Sequence, residues 1–303
     1  MIVTEQEAVW SVPEPRSIHE VEVDSKSSIL LRRHGNPDGT RLILSHGNGL
    51  AIDFYYPFWS LLTQDFDLIV YDLRNHGWNT VGDLENHSVP TLVGDHDRIL
   101  EEISDQFGQK PQVGVFHSLS SLTPLISESK GSGYSGLVLF DPPICKPGRN
   151  YYDFEEAAVR MSKSASRRTF QFKSKSSFTD LYRVFPTFKS AVPGVVDLLA
   201  DTTLRESADG EGLELRCPRE YEAQIIAYAS VYGVFIDFSK IRCPVKVLGA
   251  DPTVPSSYLP SLNLSDISNV DYDFLPESTH FLQLEHPEEC AAIMRDFIEG
   301  VLD

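Results

Sequence analysis

The stretch VGVFHSLSS, Val113 to Ser121, decides how the chain is read. Its first four residues form an apolar run of strand length, Leu119 to Leu125 can open a helix, and Ser118 stands between them. A strand-turn-helix junction lifts a hydroxyl above the end of a sheet and aims the next backbone N–H, that of Leu119, at the same space. Such a turn needs small residues two before and two after the serine, usually as G-x-S-x-G. Ser120 meets the second need, but Phe116 does not meet the first. Alone, the stretch favours an ordinary strand-end serine, so the rest of the chain has to decide.

Working outward, short apolar runs that end in loops alternate with helical patterns: LILS, FDLIVYD, QVGVFHS, GLVLFD, CPVKVLGAD and VDYDFLP. That rhythm predicts an α/β fold, a mostly parallel twisted sheet flanked by helices. Ahead of it, HEVEVDS and SSILLRR read as strands, with GNPDG as a turn. After a candidate N-cap at Thr91, Leu92, His96, Ile99, Ile103 and Phe107 recur every three or four residues, as do Cys290, Ile293, Met294, Phe297 and Val301 after Pro287. Between GLVLFDPP and IRCPVKVLGAD, roughly a hundred residues break the strand rhythm. We therefore expect residues 1–142 and 241–303 to form one core and 143–240 a mainly helical cap inserted into it.

Two further strand ends bear on Ser118. LILSHGNGL closes in His46-Gly47-Asn48-Gly49, where glycines let the backbone turn N–H groups inward; Asn48 is the expected second oxyanion donor, with Gly49 as the alternative. VKVLGADPTVP places Asp251 past one strand, and DFLPESTHFLQLEHP places His280 past the next. A serine nucleophile needs an imidazole to take its proton and a carboxylate to hold the imidazole, and the order Ser118, Asp251, His280 suits this topology.

These segments, with YDLRNHGWN, FHSLSS and THFLQLEHPEE, resemble the α/β-hydrolase fold superfamily, in its serine-nucleophile, esterase- or lactonase-like branch with a helical cap. The resemblance implies that Asp72, Arg74 and His76 hold loops and that His117 accompanies the nucleophile without acting as the base. It also offers Asp141, in LFDPP, as an acid from the strand before the cap; Asp251 is preferred because DPTVP matches the usual acid loop. Phe116 and the pair Ser120-Ser121 stand where the family usually carries glycines. Relatives that cleave epoxides or carbon–halogen bonds use a carboxylate nucleophile, which Ser118 is not.

The chain has 303 residues and a net charge of -18, which repels nucleic acid and anionic membrane surfaces. No secretory leader is evident at the N-terminus, and no apolar run has bilayer length. Cys145, Cys217, Cys243 and Cys290 are scattered, without a C-x-x-C pair. A cytoplasmic protein is expected, with no cofactor, since H-E-x-x-H, G-x-x-x-x-G-K-[ST] and G-x-G-x-x-G motifs are missing. In the insertion, Tyr151, Tyr152, Phe154, Phe170, Phe172, Phe178, Tyr182, Phe185 and Phe188 must mostly serve its own packing, with a few lining a pocket. The run Arg160, Lys163, Arg167, Arg168, Lys173, Lys175 reads as a solvated face, or else as an attractor for a substrate carboxylate or phosphate.

The expectation is a serine hydrolase acting on a carboxylic ester or lactone of a small, partly apolar molecule. Ser118 attacks, His280 carries the proton, Asp251 orients His280, and the N–H groups of Asn48 and Leu119 hold the oxyanion. Two rivals remain open: carbon–carbon hydrolysis of a vinylogous diketone by the same residues, and a binding protein that keeps the shell without catalysis. The sequence leaves the oligomeric state open.

Overall fold

Strands β3 (Arg41–Ser45), β4 (Asp67–Tyr71), β5 (Gln112–His117), β6 (Gly136–Phe140) and β10 (Val245–Gly249) are buried along their whole lengths. Both faces of each are covered, which is why their sequences are unbroken apolar runs and not alternations. The structure, a computed structural model, describes residues 9–144, 151–234, 236–254, 264–265 and 267–302. With β1 (Ser17–Asp24), β2 (Ser27–Gly35) and β11 (Val270–Phe274), the five central strands form an eight-stranded sheet in the order β1-β2-β4-β3-β5-β6-β10-β11. Strand β2 runs antiparallel to β1 and β4, and the remaining neighbours are parallel. At the edge, β1 exposes most of its residues and buries Val21.

The pleat sends Leu42 and Leu44 to one side of the sheet and Ile43 to the other, into two separate apolar cores. The first core is covered by α1 (Tyr56–Trp59) and, from the far end of the chain, by α8 (Leu282–Glu285) and α9 (Pro287–Leu302). The second is covered by α2 (Val89–Phe107) and α3 (Leu122–Ile126). Helix α2 begins earlier than Thr91: Ser88 is the N-cap, its hydroxyl accepting the Thr91 N–H. Pro90 sits in the first turn, where an N–H is not needed.

Between β6 and β10 lie α4 (Tyr151–Ala165), α5 (Lys175–Arg183), α6 (Val195–Thr203) and α7 (Arg219–Gly233). They are joined by an antiparallel sheet of three short strands, β7 (Gln171–Phe172), β8 (Leu204–Glu206) and β9 (Leu213–Leu215), in the order β7-β9-β8. The periodicity reading did not include this small sheet. Two- and three-residue strands carry too little alternation to register. Cys145 lies outside the described residues, as does Pro255 of the quoted DPTVP. No described helix is long and apolar enough to cross a membrane.

Strands β3 and β5 are neighbours whose connections run to opposite sides of the sheet, through β4 from one and β6 from the other. In open α/β sheets, ligands bind at this switch point, beyond the carboxyl ends of the strands. The register places three loops level there. Ser45 pairs with Phe116, and His117 with Phe140, so Gly47, Ser118 and Asp141 all lie just beyond the ends of adjacent parallel strands.

Candidate active site

Ser118 has φ 49, a left-handed backbone that a non-glycine residue adopts only when its surroundings hold it there. The holding comes partly from Ser120. Its hydroxyl accepts the His117 N–H at 3.1 Å and donates to the His117 carbonyl at 3.0 Å, clamping the turn from below. A glycine could not make this clamp. Ser121 is buried, and its hydroxyl has no hydrogen-bond partner among the described residues; nothing in the structure explains its choice over glycine.

Phe116 finds room because of Gly114, two residues earlier on the same strand face. A Cβ at Gly114 would come within 2.5 Å of the Phe116 ring. The space usually left by a small residue beside the turn is thus supplied two residues back. The fully buried Phe116 ring packs edge-on to His96 and Tyr134.

Ser118 opens a short helical turn, Ser118–Ser121, whose first N–H groups have no partner within the turn. The Leu119 N–H is one of them. Across from it, the loop after β3 approaches so closely that a Cβ on Gly47 would lie 2.8 Å from His117 Nδ1 and 3.3 Å from Ser118 Cβ. Only glycine fits there. The Gly49 N–H, the alternative to Asn48 in the sequence reading, is already given to His76 Nε2 at 3.0 Å. The Asn48 side chain is occupied elsewhere, donating to the Glu222 carbonyl of α7 at 2.9 Å.

His280 Nδ1 donates to Asp141 Oδ2 at 2.6 Å, and the other Asp141 oxygen accepts the Ala250 N–H at 3.3 Å. Asp141 is fully buried and, like Ser118, holds a positive φ, here 38. The expectation that Asp251 orients His280 is thereby corrected. The Asp251 carboxylate is occupied within its own loop, accepting the Glu277 N–H at 2.7 Å and, on its other oxygen, the Thr253 N–H at 2.8 Å and hydroxyl at 2.7 Å. These bonds hold it below the usual carboxylate range, led by the one from Glu277. The physical reason is strand order: β6 adjoins β5, whereas β10 lies one strand farther from Ser118. Asp251 instead ties down the loop that delivers His280.

A second imidazole secures the first. Tyr55 accepts the Gly47 N–H at 3.2 Å and lies 2.7 Å from His117 Nδ1, while His117 Nε2 lies 2.8 Å from the His280 carbonyl. A carbonyl only accepts, so Nε2 carries the His117 proton and Nδ1 accepts from the tyrosine hydroxyl. Burial, reinforced by the neighbouring His280, pushes His117 well below the usual histidine range, so it stays neutral. The loops after β3, β5 and β11 are thus joined by one chain of hydrogen bonds. Tyr55 carried no signal in the sequence reading.

Asp72 accepts from Arg32 at 2.9 Å and from the backbone of Ile52 and Trp78, Arg74 grips Asp95 at 2.5 and 2.8 Å, and His76 anchors Gly49. These bonds tie the loop after β4 to β2, to α2 and to the loop after β3.

Ser118, Leu119, Asn48 and His280 line a cavity of about 560 Å³. Its aromatic wall descends from the insertion: Phe178 stacks on Tyr182 at 4.2 Å, and Phe188 stacks at 5.5 Å on Phe281, next to His280. Of the insertion's aromatics, Phe178, Tyr182, Phe185 and Phe188 line the cavity, and Tyr152 is exposed. One ion pair interrupts the apolar wall, Arg168 Nη2 to Glu222 Oε2 at 2.5 Å. Burial raises Glu222 above the usual range against the opposing pull of Arg168. A Cβ on Gly49 would lie 2.9 Å from the Glu222 carboxyl carbon, so this acid stands against the loop that carries Asn48. Of the rest of the basic run, Arg160 pairs with Glu156 and Lys175 with Asp201, while Arg160, Lys163, Arg167 and Arg168 border a shallow outer groove.

A family model described as "Alpha/beta hydrolase family" matches residues 42–293. No curated protein matches the chain. Among solved structures, E-2-(acetamidomethylene)succinate hydrolase is similar over 93% of this chain and 99% of its own, with TM-score 0.72 and 16% identity. The thioesterase domain from the curacin biosynthetic pathway is similar over 92% and 99%, with TM-score 0.68 and 16% identity. A thermophilic esterase from Thermogutta terrifontis is similar over 94% and 99%, with TM-score 0.65 and 15% identity. At these identities the likeness is one of fold.

Proposed function

The chain belongs to the alpha/beta hydrolase family, and from that premise we propose that it is a serine hydrolase cleaving a carboxylic ester or lactone. The observation that carries the reading is the pair of strained, level loop residues: Ser118 at the end of β5, and Asp141, bonded to His280, at the end of β6. Positive φ at two adjacent strand ends costs about 1–3 kcal/mol each, a cost that ordinary strand ends do not bear.

In the proposed reaction, Ser118 Oγ attacks the carbonyl and His280 takes its proton. Asp141 fixes the Nδ1–H tautomer of His280 and steadies the imidazolium. The N–H groups of Leu119 and Asn48 receive the oxyanion; donors of this kind contribute about 2.7–4 kcal/mol each. His280 then returns the proton to the leaving alkoxide, and water repeats the sequence on the acyl-enzyme. The apolar cavity suits an acyl group or alcohol with aromatic or aliphatic bulk, and the Arg168–Glu222 pair offers a polar contact near the oxyanion loop.

The test is turnover of a panel of aryl esters and lactones by the intact protein and by Ser118→Ala. The reading expects hydrolysis lost by at least about 10³-fold in the variant. Equal activity in both proteins sinks it, and turnover of a vinylogous diketone with poor ester activity shifts it to carbon–carbon hydrolysis.

A further inference from the structure

Three buried side chains left idle by the proposed reaction converge where the insertion meets the core. His76 and His87 come from the segment between β4 and α2, Cys217 from the residue pair before α7, and one potential ligand atom of each lies within 4.8 Å of the others. Around them, side chains from the insertion reach core carbonyls: Arg216 to Gly77 at 2.9 Å, Tyr221 to Gly82 at 2.6 Å and Gln224 to His87 at 2.8 Å. His87 is fully buried, yet its Nε2 has no hydrogen-bond partner among the described residues. Leaving such an atom unsatisfied costs about 1–3 kcal/mol, so it needs an explanation. Cys217 is a free thiol, with a weak contact of 3.7 Å to the Pro218 carbonyl.

We propose that His76, His87 and Cys217 form a binding site for a thiophilic divalent cation such as Zn²⁺, and that its occupation switches off the neighbouring hydrolytic site. Imidazole and thiolate are the donors that Zn²⁺ prefers, whereas Mg²⁺ and Ca²⁺ require oxygen. Metal–ligand bonds of about 2.0–2.3 Å put donor atoms roughly 3.3–3.8 Å apart, so a cluster whose atoms lie within 4.8 Å needs to contract by no more than about 1.5 Å. Binding exchanges the Cys217 thiol proton for a metal–sulfur bond and releases that proton to solvent.

The coupling follows from the hydrogen bonds already present. His76 donates Nδ1–H to the Arg74 carbonyl at 2.8 Å, the usual outer contact of a metal-bound histidine, and its Nε2 accepts the Gly49 N–H. A cation taking that lone pair releases Gly49, and with it the anchor of the loop carrying Asn48. At His87, Nδ1 accepts from Asn75 Nδ2 at 3.0 Å, which places the ring proton on Nε2. Coordination at Nε2 moves that proton to Nδ1. Asn75 must then rotate its amide to accept it, giving up the Gly82 N–H now held at 2.7 Å. Asn75→Asp removes this conflict, because a carboxylate accepts from both groups.

Inhibition rests on the proposed hydrolytic reading, but binding does not, and the two are measured separately. Purified protein is titrated with Co²⁺, for its thiolate charge-transfer absorption, and with Zn²⁺ against a chelator. The proposal expects one equivalent bound with the charge-transfer band, loss of band and site in Cys217→Ala, and at least tenfold tighter binding in Asn75→Asp. It also expects Zn²⁺ to lower ester turnover at least tenfold in the parent protein but not in Cys217→Ala, whose metal-free turnover is unchanged. Absence of the band in both the parent and Asn75→Asp overturns the site. Equal Zn²⁺ inhibition of parent and Cys217→Ala overturns the switch, since the cation is then acting elsewhere, as at His280. A band without any ester turnover leaves the site standing and removes the hydrolytic reading.

Discussion

Replacing Asp141 by asparagine tests the part of the site on which the structure and the sequence reading disagree. Asp141 is fully buried and meets His280 Nδ1 at 2.6 Å, the length of a charge-assisted bond. Asparagine keeps the shape and tolerates the φ of 38 at this position, so the fold should survive. Its amide group, however, either opposes the Nδ1–H or stabilises the wrong tautomer, and no anion remains to meet the imidazolium. A neutral substitute at the third position of a serine triad costs roughly 10³–10⁴ in kcat, or about 4–5.5 kcal/mol of barrier. The Asp251→Asn control loosens the hold on Glu277 and Thr253 but leaves the Asp141–His280 bond in place. It should stay within about tenfold of the parent. The assay is kcat and kcat/KM on one aryl ester, with circular dichroism to confirm folding. A loss of about 10³ or more in Asp251→Asn with near-parental Asp141→Asn would refute the assignment.

Other consequences can be read from the same contacts. Arg168→Gln leaves the Glu222 carboxylate unbalanced against the oxyanion loop and should lower kcat at least tenfold; Glu222→Gln added to it should restore most of the loss, and failure of the double variant to recover dismisses the electrostatic explanation. Tyr55→Phe breaks the chain from Gly47 to His117 and should cost about tenfold in kcat/KM, or about 1.4 kcal/mol, with unchanged activity arguing that the chain is ornamental. Ser121→Ala removes a buried hydroxyl without a partner among the described residues and should leave stability equal or higher by up to about 1 kcal/mol in urea unfolding. Burial lowers His34 to about 4 and His96 to about 3, below the value of 6.5 they regain when unfolded. Between these values these two rings bind two more protons in the unfolded chain than in the folded one, so their contribution to stability is intact above pH 6.5 and falls by about 2.7 kcal/mol per unit as the pH drops toward 4, and His87, lowered to about 4 by burial, adds to the fall. Urea midpoints that do not change from pH 7 to pH 5 would contradict this.

The core was legible because the central parallel strands are continuous apolar runs, and because Ser118 follows such a run and His280 follows the edge strand β11. Asp141 also follows one, but choosing between two acids requires the sheet order, which periodicity does not contain. In the sequence Phe116 stands where the turn needs a small residue; its relief by Gly114 appears only when the two share one strand face. The chain Gly47-Tyr55-His117-His280 joins three segments far apart in sequence, and Arg168 belonged to a basic run that gave no hint of its partner Glu222. The His76, His87 and Cys217 cluster has no spacing motif for the same reason, since topology alone assembles it. The three-stranded sheet of the insertion was invisible because strands of two and three residues hold too few alternations to stand out from a loop.

The most direct measurement is labelling by a fluorophosphonate, which reacts with serines activated by a base and an oxyanion hole, followed by intact mass and peptide mapping. The account predicts a single adduct on Ser118, lost in Ser118→Ala and strongly slowed in His280→Ala and Asp141→Asn. A folded protein that takes no label, or one labelled at Ser118 at the same rate without His280, would contradict it.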